Sequence, residues 1–107
     1  MSELKMIDDE NFDSEVLKSE VPVLIDFGAT WCPPCKAQLP ILEEFAASHQ
    51  EEIKVVKIDI DDSPRSTSRF GIRSIPALML FNKGHRIDTK VGLTSLAGLT
   101  EMLKKVG

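Results

Sequence analysis

Hydrophobic positions along the chain come in two rhythms: short continuous apolar runs, and longer stretches with apolar residues three and four apart. Residues 21–28 (VPVLIDFG) form a mostly apolar run bounded by Pro22 and Gly28, which predicts a buried strand. Residues 53–60 (IKVVKIDI) predict another, with Lys54, Lys57 and Asp59 interspersed. Residues 76–82 (PALMLFN) followed by KGHRIDTKVG predict a hairpin turning at Lys83-Gly84. A weaker first strand covers residues 4–7.

The helical rhythm appears between the first two long strands. PCKAQLPILEEFAASHQ carries Leu39, Ile41, Leu42, Phe45 and Ala46 at helical spacing. Pro40 interrupts it by deleting one backbone bond and crowding the carbonyl of Lys36, so one kinked helix is expected rather than two elements. SLAGLTEMLKKV places Leu96, Leu99, Met102, Leu103 and Val106 on one face, with lysines at the end that suits the helix dipole. Shorter helices are expected over residues 11–18, burying Phe12, Val16 and Leu17, and over residues 66–70. The resulting order, β-α-β-α-β-α-β-β-α, implies an α/β fold with helices on both faces of a mixed sheet.

Composition adds mainly exclusions. A chain of 107 residues predicts one domain over residues 1–107, large enough for a real core. Its 42% hydrophobic and 28% charged residues are ordinary for a soluble protein. A net charge of -4, with no basic cluster beyond Lys104-Lys105, argues against nucleic-acid or anionic-membrane partners. The first residues, MSELKMIDDENF, lack the basic start and apolar stretch of an export signal, and no segment approaches a membrane span. A cytoplasmic location is expected, where a purely structural disulfide would be unusual.

The chemistry concentrates in ATWCPPCK, residues 29–36, which holds the only two cysteines. A C-x-x-C pair at a strand–helix junction can bind metal, exchange a disulfide or merely fill space. Structural zinc needs four ligands, and there is no second pair, nor are His49 and His85 closely spaced. No metal site is expected, and redox exchange is the favoured reading. A residue before proline is pushed out of helical dihedrals, so Cys32 and Pro33 are expected outside the helix, with Pro34 at its first position. The helix's unpaired amides would then face the Cys32 sulfur and favour its thiolate. Cys35, one turn further in, is expected to be buried beside a more exposed Cys32. Rigid prolines at Pro33 and Pro34 would hold the two sulfurs close in both redox states.

Beyond this motif, a set of residues in register along the whole chain resembles the thioredoxin family. It comprises Asp26-Phe27, the run from Ala29 to Lys36, Pro40, KIDID ending at Asp61, FGIRSIPALMLF ending at Phe81, Lys83-Gly84 and KVG ending at Gly92. The resemblance implies a thioredoxin fold, a central mixed five-stranded sheet flanked by four helices. It implies that Cys32 attacks and Cys35 resolves, cycling through a Cys32–Cys35 disulfide without any cofactor. Asp26, in an apolar strand, would match a buried aspartate assisting proton transfer at Cys35, with its pKa raised by burial and opposed by Lys57. Pro76 would follow a cis bond, leaving the Ile75 backbone to pair with an extended substrate. Trp31, Pro34, Ile72, Ile75, Pro76, Gly92 and Leu93 would border Cys32. Pro33, Pro40 and Gly84 would be structural, Gly84 serving the hairpin turn.

The sequence also departs from that family. Pro33 stands where glycine is usual, Gly28 where tryptophan or another bulky residue is common, Ser74 for glycine and Ala77 for threonine. Neither histidine matches a catalytic position, and both read as surface residues. The implied activity is reduction of protein disulfides by dithiol exchange, as a dithiol electron carrier. The chain has no G-x-G-x-x-G dinucleotide fingerprint, so a flavoprotein thioredoxin reductase is the expected partner. Oxidised proteins are the expected substrates and the chain is expected to be a monomer. Two alternatives stay open: an exported thiol reductant for cytochrome maturation, and a non-catalytic binding subunit.

Overall fold

The computed structural model describes residues 4–106. Five strands form one sheet: β1 (Lys5–Ile7), β2 (Val23–Gly28), β3 (Lys54–Asp59), β4 (Ala77–Asn82) and β5 (His85–Val91). Their spatial order is β1-β3-β2-β4-β5. β1 and β2 run parallel to β3, whereas β4 is antiparallel to both β2 and β5. Three α-helices, α1 (Pro33–Ser48), α2 (Pro64–Arg69) and α3 (Leu96–Leu103, continued by a 3-10 turn at Lys104–Val106), join a π-helical turn at Asp13–Leu17 to make four flanking helical segments. This is the mixed five-stranded α/β architecture that the family resemblance implies.

Every residue of β2 is buried, because the strand is central and covered on both faces. Alternation sends Val23, Ile25 and Phe27 to one side, where they pack with Phe12, Val16 and Phe81. Leu24 points to the other side, among Leu42, Phe45, Leu99 and Met102 of α1 and α3. Asp26 and Gly28 share that second side by the same alternation. Burying a side chain the size of Phe27 contributes about 1.5–3 kcal/mol.

Several boundaries differ from the periodicity. The helix expected over residues 11–18 is a single π-helical turn, closed by Lys18 N–H donating to Asp13 O at 3.0 Å. Phe12 and Val16 are buried there, and Leu17 is partly buried against the same core. The third helix starts earlier than residue 66, at Pro64, because the Asp9 carboxylate accepts the Arg65 and Ser66 amides at 3.0 and 2.7 Å. That contact spans more than fifty residues of chain, beyond any local pattern. Pro40 lies within an uninterrupted α1. At the hairpin, Lys83 and Gly84 both take positive φ, 52° and 83°, as a two-residue type I′ turn requires. His49 is half-buried rather than a simple surface residue, its ring tilted 43° against Phe45 at 4.7 Å between centroids and 2.8 Å from Glu52.

Candidate active site

Four residues separate the start of α1 from the end of β2, at the carboxyl end of the central strand. Cys32 caps the helix from extended dihedrals (φ -101°, ψ 108°), the conformation a residue before proline prefers. Pro33 and Pro34 therefore occupy the first two helical positions, which corrects the expectation that Pro33 lies outside. The physical reason is that neither first-turn position has an intrahelical use for its N–H, so the helix loses no bond by starting on Pro33, and this outweighs the disfavour that Pro34 places on a helical Pro33. With two donors absent, the Cys35 N–H is the first amide of the helix, and it donates to Cys32 Sγ at 3.3 Å. Lys36 N–H then donates to Cys32 O at 3.1 Å.

Cys32 and Cys35 are joined in a disulfide with their Cα atoms 5.2 Å apart. Both residues are only 4% exposed. The expected contrast between an exposed Cys32 and a sheltered Cys35 is thus absent in the oxidised form. The disulfide draws the two cysteines together with Ala29, and Ile60 and Ile75 pack against the pair.

The Ile75–Pro76 bond is cis. Ile75 O lies 3.9 Å from Cys32 Sγ, a contact that a reduced Cys32 thiol could turn into a hydrogen bond. Pro76 O accepts the Gly92 N–H at 2.8 Å, and Gly92 takes φ 93°, which side chains rarely adopt. Leu93, next along, is 54% exposed, and Trp31 is 63% exposed with its Nε1 donating to Asp61 Oδ2 at 2.8 Å. Ile75 packs on the cysteines, whereas the half-buried Ile72 packs on the phenylalanine-lined core instead. Pro33 and Pro34 are exposed at the start of α1.

Beneath the disulfide, Asp26 is 3% exposed and its Oδ1 has no hydrogen-bond partner. Burial pushes its pKa up to about 7, against the opposing charge of Lys57. Lys57 is its register partner on β3, yet no ion pair forms between them. A cleft of about 240 Å³ opens here, bordered by Asp26, Gly28, Cys35, Lys36, Lys57 and Asp59 among others. A Cβ placed on Gly28 would stand 3.5 Å from Cys35 Sγ and 4.0 Å from Asp26 Oδ1. These are ordinary van der Waals distances, so Gly28 brings the β2 backbone close to both Cys35 and Asp26.

Two contributors lie outside the sequence-derived set. Asp61 anchors Trp31, as above. Gln38 is fully buried in α1, donating from Nε2 to Thr94 O at 2.9 Å and accepting Thr94 N–H on Oε1 at 2.8 Å. It ties α1 to the loop that presents Gly92 and Leu93. Its position three after Cys35 and four before Leu42 puts it on the buried face, a signal that its polarity concealed.

The family model described as Thioredoxin matches residues 3–105. The chain is 44% identical over 99 residues to Thioredoxin of Rickettsia prowazekii (strain Madrid E), covering 92% of this chain and 94% of that protein. It is 47% identical over 97 residues to Thioredoxin of Rickettsia bellii (strain RML369-C), covering 91% and 92%. Against Thioredoxin 1 of Synechococcus elongatus (strain ATCC 33912 / PCC 7942 / FACHB-805) the identity is 44% over 105 residues, 98% of each chain.

Proposed function

The chain belongs to the thioredoxin family and is a thiol–disulfide oxidoreductase, and from that membership we propose that it reduces disulfides of oxidised protein substrates through its Cys-Pro-Pro-Cys motif. In this cycle the Cys32 thiolate attacks a substrate sulfur and forms a mixed disulfide, and the substrate's other sulfur leaves as a thiolate. The Cys35 amide aimed at Cys32 Sγ supports that reading, because an N–H donor stabilises negative charge on the sulfur. Asp26 takes the Cys35 proton, and the Cys35 thiolate attacks Cys32 Sγ. The substrate leaves with both sulfurs reduced, and the protein carries its own disulfide.

The observation that carries this reading is the unpartnered, buried Asp26 carboxyl, which borders the same cleft as Cys35. A carboxyl whose pKa lies at about 7 can accept and return a proton near neutral pH. Lys57 would modulate it. Trp31, Pro34, Ile72, Ile75, Pro76, Gly92 and Leu93 would seat the substrate chain, with Pro33, Pro40 and Gly84 as structural supports. A thioredoxin reductase would return the electrons, and no cofactor beyond the Cys32–Cys35 pair is required. We place this reaction in the cytoplasm and assign it to a monomeric single domain; among the described residues no helix is long and apolar enough to cross a membrane.

Insulin reduction coupled to a thioredoxin reductase tests the proposal. The parent is expected to turn over, Cys32→Ser to be inactive, and Cys35→Ser to accumulate a mixed disulfide with substrate. Asp26→Asn is expected to slow release of reduced substrate while leaving the initial attack comparatively intact. Absence of turnover with both cysteines present would overturn the assignment.

A further inference from the structure

Residues 92–95 lie between the end of β5 and the start of α3, where the chain is neither strand nor helix. No ladder fixes their backbone, and Leu93 is 54% exposed. Two contacts on Thr94 hold the segment instead. Gln38 gives Thr94 both halves of its side-chain amide, donating to the carbonyl at 2.9 Å and accepting the N–H at 2.8 Å. A primary amide offers a donor and an acceptor side by side, so it pairs with one residue's backbone as a neighbouring strand would. The Thr94 N–H lies in the peptide plane shared with Leu93, and the Thr94 carbonyl in the plane shared with Ser95. Both planes are therefore set from α1.

The second contact comes from α3. A Cβ added at Gly98 would stand 2.7 Å from Thr94 Cγ2, so the threonine methyl fills the notch that this glycine leaves. Glycine is a poor helix residue, and room for Thr94 is what it provides here. From Thr94 a series of contacts returns to the disulfide. Thr94 Oγ1 donates to Gly92 O at 3.3 Å, the Gly92 N–H donates to Pro76 O at 2.8 Å, and Ile75 packs on the cysteines. Gln38 itself sits one turn after Cys35 on the buried face of α1. One helix thus carries both the reacting sulfurs and the clasp on this loop.

We propose that Gln38 is a positioning residue for substrate binding: through Thr94 it holds Gly92 and Leu93 in the arrangement that a substrate chain meets, and so favours peptide disulfides over small ones. This rests on Gly92 and Leu93 being part of the substrate seat in the proposed function. Gln38 is fully buried, so it acts through Thr94 and not on the substrate itself. With the clasp in place the loop is ordered before the substrate arrives, and binding carries no cost of ordering it. An apolar side chain at position 38 would leave both Thr94 groups unpaired, and the loop would shift to find other partners. A substrate would then have to order the loop again, which weakens binding without altering the sulfur chemistry.

The test separates binding from chemistry with two disulfides. Reduced parent and Gln38→Met, a near match in length without the hydrogen bonds, are mixed with insulin or with hydroxyethyl disulfide. Reactions are quenched in acid, and oxidised protein is measured by chromatography across a range of substrate concentrations. For insulin, Gln38→Met is expected to raise the half-saturating concentration about tenfold with an unchanged limiting rate. Its rate with hydroxyethyl disulfide, which has no chain to seat, is expected to equal the parent's. Equal slowing with both disulfides overturns the proposal, since the residue would then serve the cysteine pair. An unchanged insulin profile overturns it too. If Gln38→Met does not fold, Gly98→Ala decides alone, because alanine suits a helix while its methyl displaces Thr94 from the other side. It is expected to raise the half-saturating insulin concentration, and Thr94→Ser in the same chain, lacking the displaced methyl, to restore it. No rise in Gly98→Ala then overturns the proposal. Reductase-coupled insulin reduction by the parent is scored separately, so failure of the proposed function is told apart from failure of this assignment.

Discussion

Phe27 and its neighbours Asp26 and Gly28 sit on one strand but face opposite sides of the sheet, and the two sides are built to different ends. Around Phe27, the rings of Phe12, Phe70 and Phe81 meet at centroid distances of 5.2–6.2 Å, three of the four contacts edge to face. Arg69 lies over the Phe12 and Phe70 rings at 5.8 and 5.2 Å. One residue away along β2, the other side holds an orphaned carboxyl oxygen and an open cleft. The first side gains stability from dense packing. The second gives some up, because a proton carrier must be desolvated yet left without a satisfying partner.

The largest effect expected from breaking the packed side is Phe27→Ala, which should cost up to about 5 kcal/mol in urea unfolding of the oxidised protein. A loss below 1 kcal/mol would mean that the ring cluster is not the denser side. Asp26→Asn should have the opposite sign. The folded-state pKa of Asp26 is raised from 3.8 to about 7, so the parent's stability from this group is fully present below pH 3.8. It is lost as pH rises through about 7. Asp26→Asn should therefore be more stable than the parent by about 4 kcal/mol at pH 8, with the gain vanishing near pH 3.5. Destabilisation at pH 8 would break the contrast between the two sides.

Gln38→Ala should cost about 1–3 kcal/mol, because it leaves the Thr94 N–H and C=O unpaired in a buried place. Faster amide exchange at Thr94 would show that the loss is local to the loop bearing Leu93. Unchanged exchange would mean that another contact holds it. The smallest effect expected is from Gly28→Ala. Its new Cβ would meet Cys35 Cβ at 3.4 Å and Sγ at 3.5 Å, ordinary contacts. With less unfolded-state freedom to lose, the variant should gain about 0.5 kcal/mol in the same unfolding assay. A loss instead would show that the cleft wall tolerates no added atom.

Much of the fold was legible because burial imposes rhythm. β2, β3 and β4 are read from apolar runs, and α1 and α3 from three-and-four spacing, with end residues shifted by one to three positions. The hairpin follows from Lys83-Gly84, since two consecutive left-handed residues need glycine or a tolerant neighbour. The candidate site was legible where chemistry demands adjacency, as in Cys32, Cys35 and the prolines between them. It was illegible where partners come from remote segments: Asp9 capping α2, Asp61 holding Trp31, and Gln38 clasping Thr94. A polar residue on an apolar face also violates the rhythm that identifies the face, so Gln38 was hidden by its own side chain.

Local order along the chain determined which elements form and where the two thiols lie at the mouth of a helix. Backbone restriction acts within a few residues and can be read in sequence. Only the assembled sheet decided that Asp26 is left unpartnered, that Lys57 stands in register without reaching it, and that Asp26, Gly28 and Cys35 border one cleft. Desolvation and empty volume belong to the surroundings of a residue, and those surroundings exist only once distant strands and helices have closed around it.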